Sequence, residues 1–143
     1  MLLIYASRTN NIQRFINRLQ KIEKIIHLQS DNLIVNEPFC LITYTDKIGA
    51  VPEIVEKFLV KNHQWLKAVV SSGNRNFGNF FARSGDLIAQ KYQVPLLMKF
   101  ELSGTEADVE KFETLFKSLS NQVSKIKQAT NQKMRSIEFL FHS

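Results

Sequence analysis

The stretch Ser7-Arg8-Thr9-Asn10-Asn11 sets hydroxyls, side-chain amides and a guanidinium between an apolar run and a helical periodicity. A loop of this kind offers free backbone N–H groups at a helix N-terminus, where a phosphate dianion gains from unpaired donors and the helix dipole. There is no Gly-x-Gly-x-x-Gly and no Walker lysine, so the pattern suits a terminal phosphomonoester better than a dinucleotide. Ordinary N-capping by Ser, Thr or Asn accounts for the same residues without any ligand.

Two further loops carry groups suited to a planar ring. Thr43–Pro52 reads Thr-Tyr-Thr-Asp-Lys-Ile-Gly-Ala-Val-Pro and could cover one ring face with Tyr44 or with backbone. Ser71-Ser72-Gly73-Asn74-Arg75-Asn76-Phe77-Gly78 is the most specific feature of the chain. Its glycines permit close backbone approach, and Phe77 offers a flat apolar surface. Turn chemistry explains Gly and Asn but not the whole octet.

These loops need elements to position them. Leu2–Ala6 is a continuous apolar run, as expected of a strand covered on both faces. Ile12, Phe15, Ile16, Leu19 and Ile22 follow at helical spacing. Strands are expected near 25–28, with 33–35 beyond a polar turn, and then over 39–44, 66–70 and 96–102. Val51, Ile54, Val55, Phe58 and Leu59 form a second helical stripe, with Pro52 suited to its first turn. Phe77, Phe80, Phe81, Leu87 and Ile88 predict a third helix, stopped before Pro95. Thr105 and Asp108 resemble a capping box ahead of Val109, Phe112, Leu115, Phe116 and Leu119.

Five strands alternating with four helices call for an α/β fold, a parallel sheet with helices on both faces. Right-handed crossovers leave few topologies, and a doubly wound five-stranded sheet is the expectation. Ligands of such sheets bind beyond the carboxyl ends of the strands, where the strand order reverses. The loops after strands one, three and four are the three described above. Residues 1–120 account for one domain, and 121–143 form an extension that could prolong the last helix, pack as an added element or stay partly mobile.

The 143 residues suffice for one packed core, and 44% hydrophobic with 22% charged residues is a globular balance. No apolar run reaches the roughly 20 residues of a membrane span, and the first run is too short for a signal peptide. A cytoplasmic protein with no membrane partner is expected. Cys40 is the single cysteine, so no internal disulfide forms, and its apolar surroundings suit a buried thiol. His27, His63 and His142 have no metal-ligand spacing. The net charge of +6, from 19 basic against 13 acidic residues, favours acidic partners. The cations are spread, with some enrichment at Lys117, Lys125, Lys127, Lys133 and Arg135, so a solvated face or an acidic protein partner is favoured over nucleic acid.

Gly73-Asn74-Arg75-Asn76-Phe77-Gly78, then Pro95, then Phe100-Glu101-Leu102-Ser103-Gly104-Thr105, resembles the NrdI family. Ile42-Thr43-Tyr44-Thr45 with Gly49 and Val51-Pro52, and the opening at Ser7, Thr9 and Asn11, are similar too. The resemblance runs over roughly residues 2–120. It implies a flavodoxin-like fold with sheet order 2-1-3-4-5 and noncovalent FMN. Carried over by position, Ser7, Arg8, Thr9, Asn10 and Asn11 would enclose the phosphate. Tyr44, Thr45, Asp46 and the segment to Gly49 would flank the isoalloxazine. Gly73, Asn74, Asn76, Phe77 and Gly78 would meet the ring from its other side and edge. The implied role is redox: reduced FMN would react with oxygen, and the oxidant would pass to the dimanganese site of the class Ib ribonucleotide reductase small subunit, NrdF, generating its tyrosyl radical. A flavin reductant, unidentified, would complete the set of partners.

The chain departs from the family at two places. Many relatives have Gly where Asn10 stands, and their flavin loop is often glycine-rich where this chain has Asp46, Lys47 and Ile48. Lys47, if directed at the ring, would favour an anionic reduced flavin; a solvent-facing loop lysine is the alternative. A generic flavodoxin shuttle is the nearest rival reading. A phosphoacceptor receiver domain lacks the acid pair it needs after strand one, where Ala6-Ser7-Arg8 stands. A hydrolase lacks a nucleophile elbow or triad.

Overall fold

A computed structural model describes residues 1–142 of the chain. In sequence order the elements are β1 (Leu2–Tyr5), α1 (Asn10–Asn17), β2 (Ile25–His27), β3 (Phe39–Thr43), α2 (Glu53–Asn62), β4 (Leu66–Gly73), α3 (Arg83–Tyr92), β5 (Leu96–Glu101) and α4 (Glu106–His142). All four strand pairings are parallel and the order is β2-β1-β3-β4-β5.

Alternation along each strand divides the core into two layers. Leu3, Tyr5, Cys40, Ile42, Ala68 and Val70 point to the face covered by α1 and α4, meeting Ile12, Phe15, Phe112 and Phe116. Leu2, Ile4, Leu41 and Val69 point to the face covered by α2 and α3, meeting Val55, Phe58, Leu59 and Ile88. Phe15 is central to the first layer, stacked on Phe100 at 4.2 Å and edge-on to Phe112 at 5.7 Å. Cys40 is fully buried, and burial pushes its thiol up to about 12, which leaves it inert at neutral pH.

Two expectations change. Residues 33–35 do not join the sheet; their backbone is held by the buried Asn62, which accepts from Val35 N and donates to Leu33 O, each at 2.9 Å. The third helix begins at Arg83 rather than near Phe77. Phe77 and Phe80 instead lie in a 3-10 turn, Arg75–Phe80, broken by Gly78 at φ 54° and ψ −118°, and Ala82 then takes the left-handed conformation. The 3-10 turn His63–Trp65, joining α2 to β4, is an addition. The capping box is present: Thr105 N donates to Asp108 Oδ2 at 2.8 Å, and Asp108 N to Thr105 Oγ1 at 3.1 Å. Of the courses open to residues 121–142, the chain takes the first, because α4 runs unbroken to His142.

Phe15→Ala should remove about 3–5 kcal/mol of stability, since the flanking rings cannot collapse into the space left. Urea denaturation checks this through the shift in midpoint at unchanged slope.

Candidate functional site

At the carboxyl edge of the sheet, the loops after β1, β3 and β4 converge with Leu102, which follows β5. Together they line a cleft of about 160 Å³, continuous with its open mouth. Ser7, Arg8, Thr9 and Asn11 come from the first loop, Tyr44, Thr45 and Lys47 from the second, and Gly73, Asn74 and Phe77 from the third. Asn10, Asp46, Gly49, Asn76 and Gly78 sit in the same loops without lining the cleft itself.

The first loop presents anion-binding groups. Thr9 caps α1 in extended geometry, yet its side chain makes no capping bond to the helix. The first-turn N–H groups are therefore not used up by the hydroxyl that ordinarily takes them. Ser7 Oγ donates to Thr9 O at 2.5 Å, tightening the turn. Asn11 Oδ1 accepts from Ser103 Oγ at 3.0 Å, which fixes the amide against the loop after β5. No acidic residue stands in the first turn of α1 to repel a phosphate.

The second loop is a tight antiparallel turn. Asp46 and Ala50 exchange two backbone hydrogen bonds, of 2.8 and 2.7 Å, across Lys47-Ile48-Gly49. Closing so short a turn takes positive φ at Lys47 (43°) and at Gly49 (83°). At Gly49 an added Cβ would also lie 2.9 Å from the Arg83 side chain. Lys47 reaches the cleft lining while remaining exposed, and Ile48 projects outward.

Arg8 does not point along the first loop. Its guanidinium pairs with Asp46 and lies over the Tyr44 ring, 5.3 Å from the centroid, so it ties the first loop to the second. Burial, then the Asp46 carboxylate, hold the Tyr44 phenol above its ordinary value of 10.0, with Arg8 pulling the other way. Tyr44 therefore stays a neutral phenol at the cleft wall across the physiological range.

The third loop lines the same cleft. Asn74 Oδ1 accepts from Asn76 N at 2.9 Å, an Asx turn that shapes the start of the 3-10 segment. Gly73 lets the wall pack: an added Cβ would stand 2.5 Å from Ala82 N. Gly73 O accepts from Leu102 N at 3.0 Å, and Ser72 Oγ donates to Leu102 O at 2.8 Å, which locks the β4 and β5 exits together. Phe77 and Phe80 stand half-exposed at 50% and 38%, an apolar surface facing a site rather than the core.

Ile12, Ser72, Phe80, Ala82 and Leu102 also line the cleft but are absent from the residues carried over from the family motifs. Phe80 reads from sequence as one position of a helical stripe. Leu102 stands within the family motif Phe100–Thr105, but nothing in the sequence marks it as part of the site, which it reaches at φ 53°.

A family model described as NrdI Flavodoxin like matches residues 3–114. Among solved structures, the chain is similar to oxidised flavodoxin 1 from Bacillus cereus, at 19% identity and TM-score 0.60, over 82% of this chain and 96% of that one. It is also similar to a short-chain flavodoxin associated with a non-canonical PDU bacterial microcompartment, at 19% identity and TM-score 0.64, over 85% and 99%. Both likenesses place the fold among flavodoxins.

Asp46→Asn should lower the Tyr44 titration midpoint, because it removes the carboxylate that opposes phenolate formation while Arg8 remains. Carbon-13 NMR of labelled tyrosine resolves Tyr44 from Tyr5 and Tyr92. Stability should change by no more than about 1 kcal/mol, as an exposed ion pair contributes little.

Proposed function

The chain belongs to the NrdI flavodoxin-like family, and from that premise we propose that it binds FMN in the cleft and serves assembly of the dimanganese–tyrosyl radical cofactor of NrdF. The observation that carries the reading is the meeting of two unlike surfaces in one cleft. Backbone donors without a side-chain cap sit at the α1 N-terminus, and the rings of Tyr44, Phe77 and Phe80 line the same cleft.

The residues fit the group in charge and in shape. Ser7, Thr9 and Asn11 surround the α1 N-terminus with hydroxyl and amide groups, suited to a phosphate monoester. Tyr44, Phe77 and Phe80, which line the cleft, offer flat surfaces for an isoalloxazine. When bound, FMN supplies one- and two-electron transfer and the reaction of a reduced flavin with oxygen.

The protein's part is to bind, orient and screen. The Arg8–Asp46 pair leaves the two loops on either side of the phosphate and ring positions mechanically coupled. It also offsets the charge of Asp46 beside the cleft. The Asp46–Ala50 turn fixes the backbone that would border the ring edge. Lys47, on that turn, supplies a positive charge at the cleft. Around the mouth, Ile48, Phe77, Phe80 and Leu102 are exposed apolar side chains, the composition of a surface that a partner covers. The chain's net charge of +6 suits an acidic partner face.

Mixing the FMN-loaded, reduced chain with manganese(II)-loaded NrdF and oxygen should give a tyrosyl radical by electron paramagnetic resonance. Manganese-loaded NrdF alone should give none. A chain that takes up FMN, yet yields no radical with an NrdF that another NrdI activates, would place it among generic flavodoxin shuttles.

A further inference from the structure

We propose that the distal part of α4 is a surface-seeking helix that lies on an anionic phospholipid membrane. The first turns of α4 bury Val109, Phe112 and Phe116 against the sheet. The same helical face continues past the domain as Val123, Ile126, Met134, Ile137, Leu140 and Phe141, with Lys127, Thr130 and Lys133 falling on it between Ile126 and Met134. No described residue covers it: from Ser124 to Phe141 every residue is exposed, with Ile126 at 67%, Leu140 at 74% and Phe141 at 83%. Residues 121–142 extend about 33 Å at the helical rise of 1.5 Å per residue.

The charged residues of this segment are nearly all basic. Lys125, Lys127, Lys133 and Arg135 stand against Glu138 alone. An apolar stripe bordered by Lys and Arg on a helix of modest hydrophobicity is the pattern of a helix lying in the headgroup plane. No helix of the described residues is long and apolar enough to cross a membrane, so the geometry is one of lying on the surface.

Three features favour lipid over a second copy of the chain. Two such helices side by side would bring like charges together. By its helical position Lys133 falls within the apolar arc, where a helix pair would bury its ammonium, whereas at a bilayer the long stem lets it reach the headgroups. Phe139, 72% exposed, projects from nearly the opposite side to Ile137, so the last described turn is apolar around much of its circumference. A two-helix seam would leave that ring in water.

Position adds to the case. The N-terminal amine of Met1, just before β1, donates to Ser120 Oγ at 3.3 Å, so α4 passes the amino edge of the sheet there and continues away from it. The cleft lies at the opposite edge. A membrane-bound chain would therefore keep its cleft facing solution and open to a soluble partner.

Vesicle flotation of the whole chain tests this, using phosphatidylcholine alone and phosphatidylcholine containing phosphatidylglycerol. The chain should float with the anionic vesicles, release as salt is raised, and stay behind with the neutral ones. Replacing Lys125 and Lys127 by Gln should weaken binding by about fivefold per charge, and Ile137→Asp should abolish it. Circular dichroism and thermal melting of each variant should match the parent, because these side chains lie outside the core. Failure of the parent chain to float with anionic vesicles would overturn the proposal, as would flotation unchanged by Ile137→Asp. A dimer in sedimentation equilibrium that Ile137→Asp dissociates, without flotation, would assign the stripe to a second copy. These outcomes are independent of FMN binding, since every substituted position lies outside the matched residues 3–114.

Discussion

Burial of β1, β3 and β4 on both faces is the constraint on which the rest of the molecule depends. Leu3, Ile4, Cys40, Leu41, Ile42, Ala68, Val69 and Val70 are all inaccessible to solvent, so both faces of the sheet have to be covered by helices. Covering both faces of a parallel sheet requires crossover helices, and strands that all run one way place every β-to-α loop at the carboxyl edge. The cleft is a consequence of that topology. β1 pairs with β2 on one side and β3 on the other, and the loops leaving β1 and β3 separate where the order reverses.

What fills the gap is a set of loops stiffened by local devices rather than by a core. The second loop is pinned by its Asp46–Ala50 exchange, and the Thr45 hydroxyl meets Ser84 Oγ at 2.8 Å, tying it to α3. The third is pinned by the Asn74 turn and by the Leu102 bonds to Ser72 and Gly73. Left-handed backbone at Lys47, Ala82 and Leu102 is concentrated around this edge, where surrounding structure has to sustain it. Strained, well-bonded loops over a rigid sheet hold polar groups and rings in place without closing the mouth, which suits a bound group that exchanges electrons with partners.

The sheet was legible because runs such as Phe39–Thr43 and Leu66–Val70 are apolar on both faces, and only a doubly covered strand needs that pattern. Helix α2 and the start of α4 were legible through their spacing, and the Thr105–Asp108 cap through its chemistry. Phe77 and Phe80 misled, because helical spacing cannot tell a ring turned to the core from a ring turned to a site. The break comes from the backbone conformation of Gly78 and Ala82, which spacing does not encode. Residues 33–35 misled for a related reason: Leu33 and Val35 point inward while Ile34 is exposed, but a single buried amide, Asn62, replaces the ladder that a strand would need. Within the cleft, Ser7, Thr9, Tyr44, Gly73 and Asn74 were visible as unusual residue types. Ala82 was not, and Leu102 was visible only as a member of a family motif, since ordinary aliphatic residues reach the site through backbone geometry alone. The turn of Arg8 toward Asp46 was equally hidden, because the two are brought together only by the β1–β3 pairing.

The central claim is that this cleft holds FMN. Its most direct test is the visible absorption spectrum of the purified chain, followed by titration with FMN if it is colourless and by identification of any ligand released on heating. The account predicts flavin bands shifted from those of free FMN, saturation at a single equivalent, and FMN as the released species. A chain that is colourless as purified and leaves added FMN spectrally unchanged would contradict it, and the three loops would then stand as turn chemistry on a flavodoxin-like sheet.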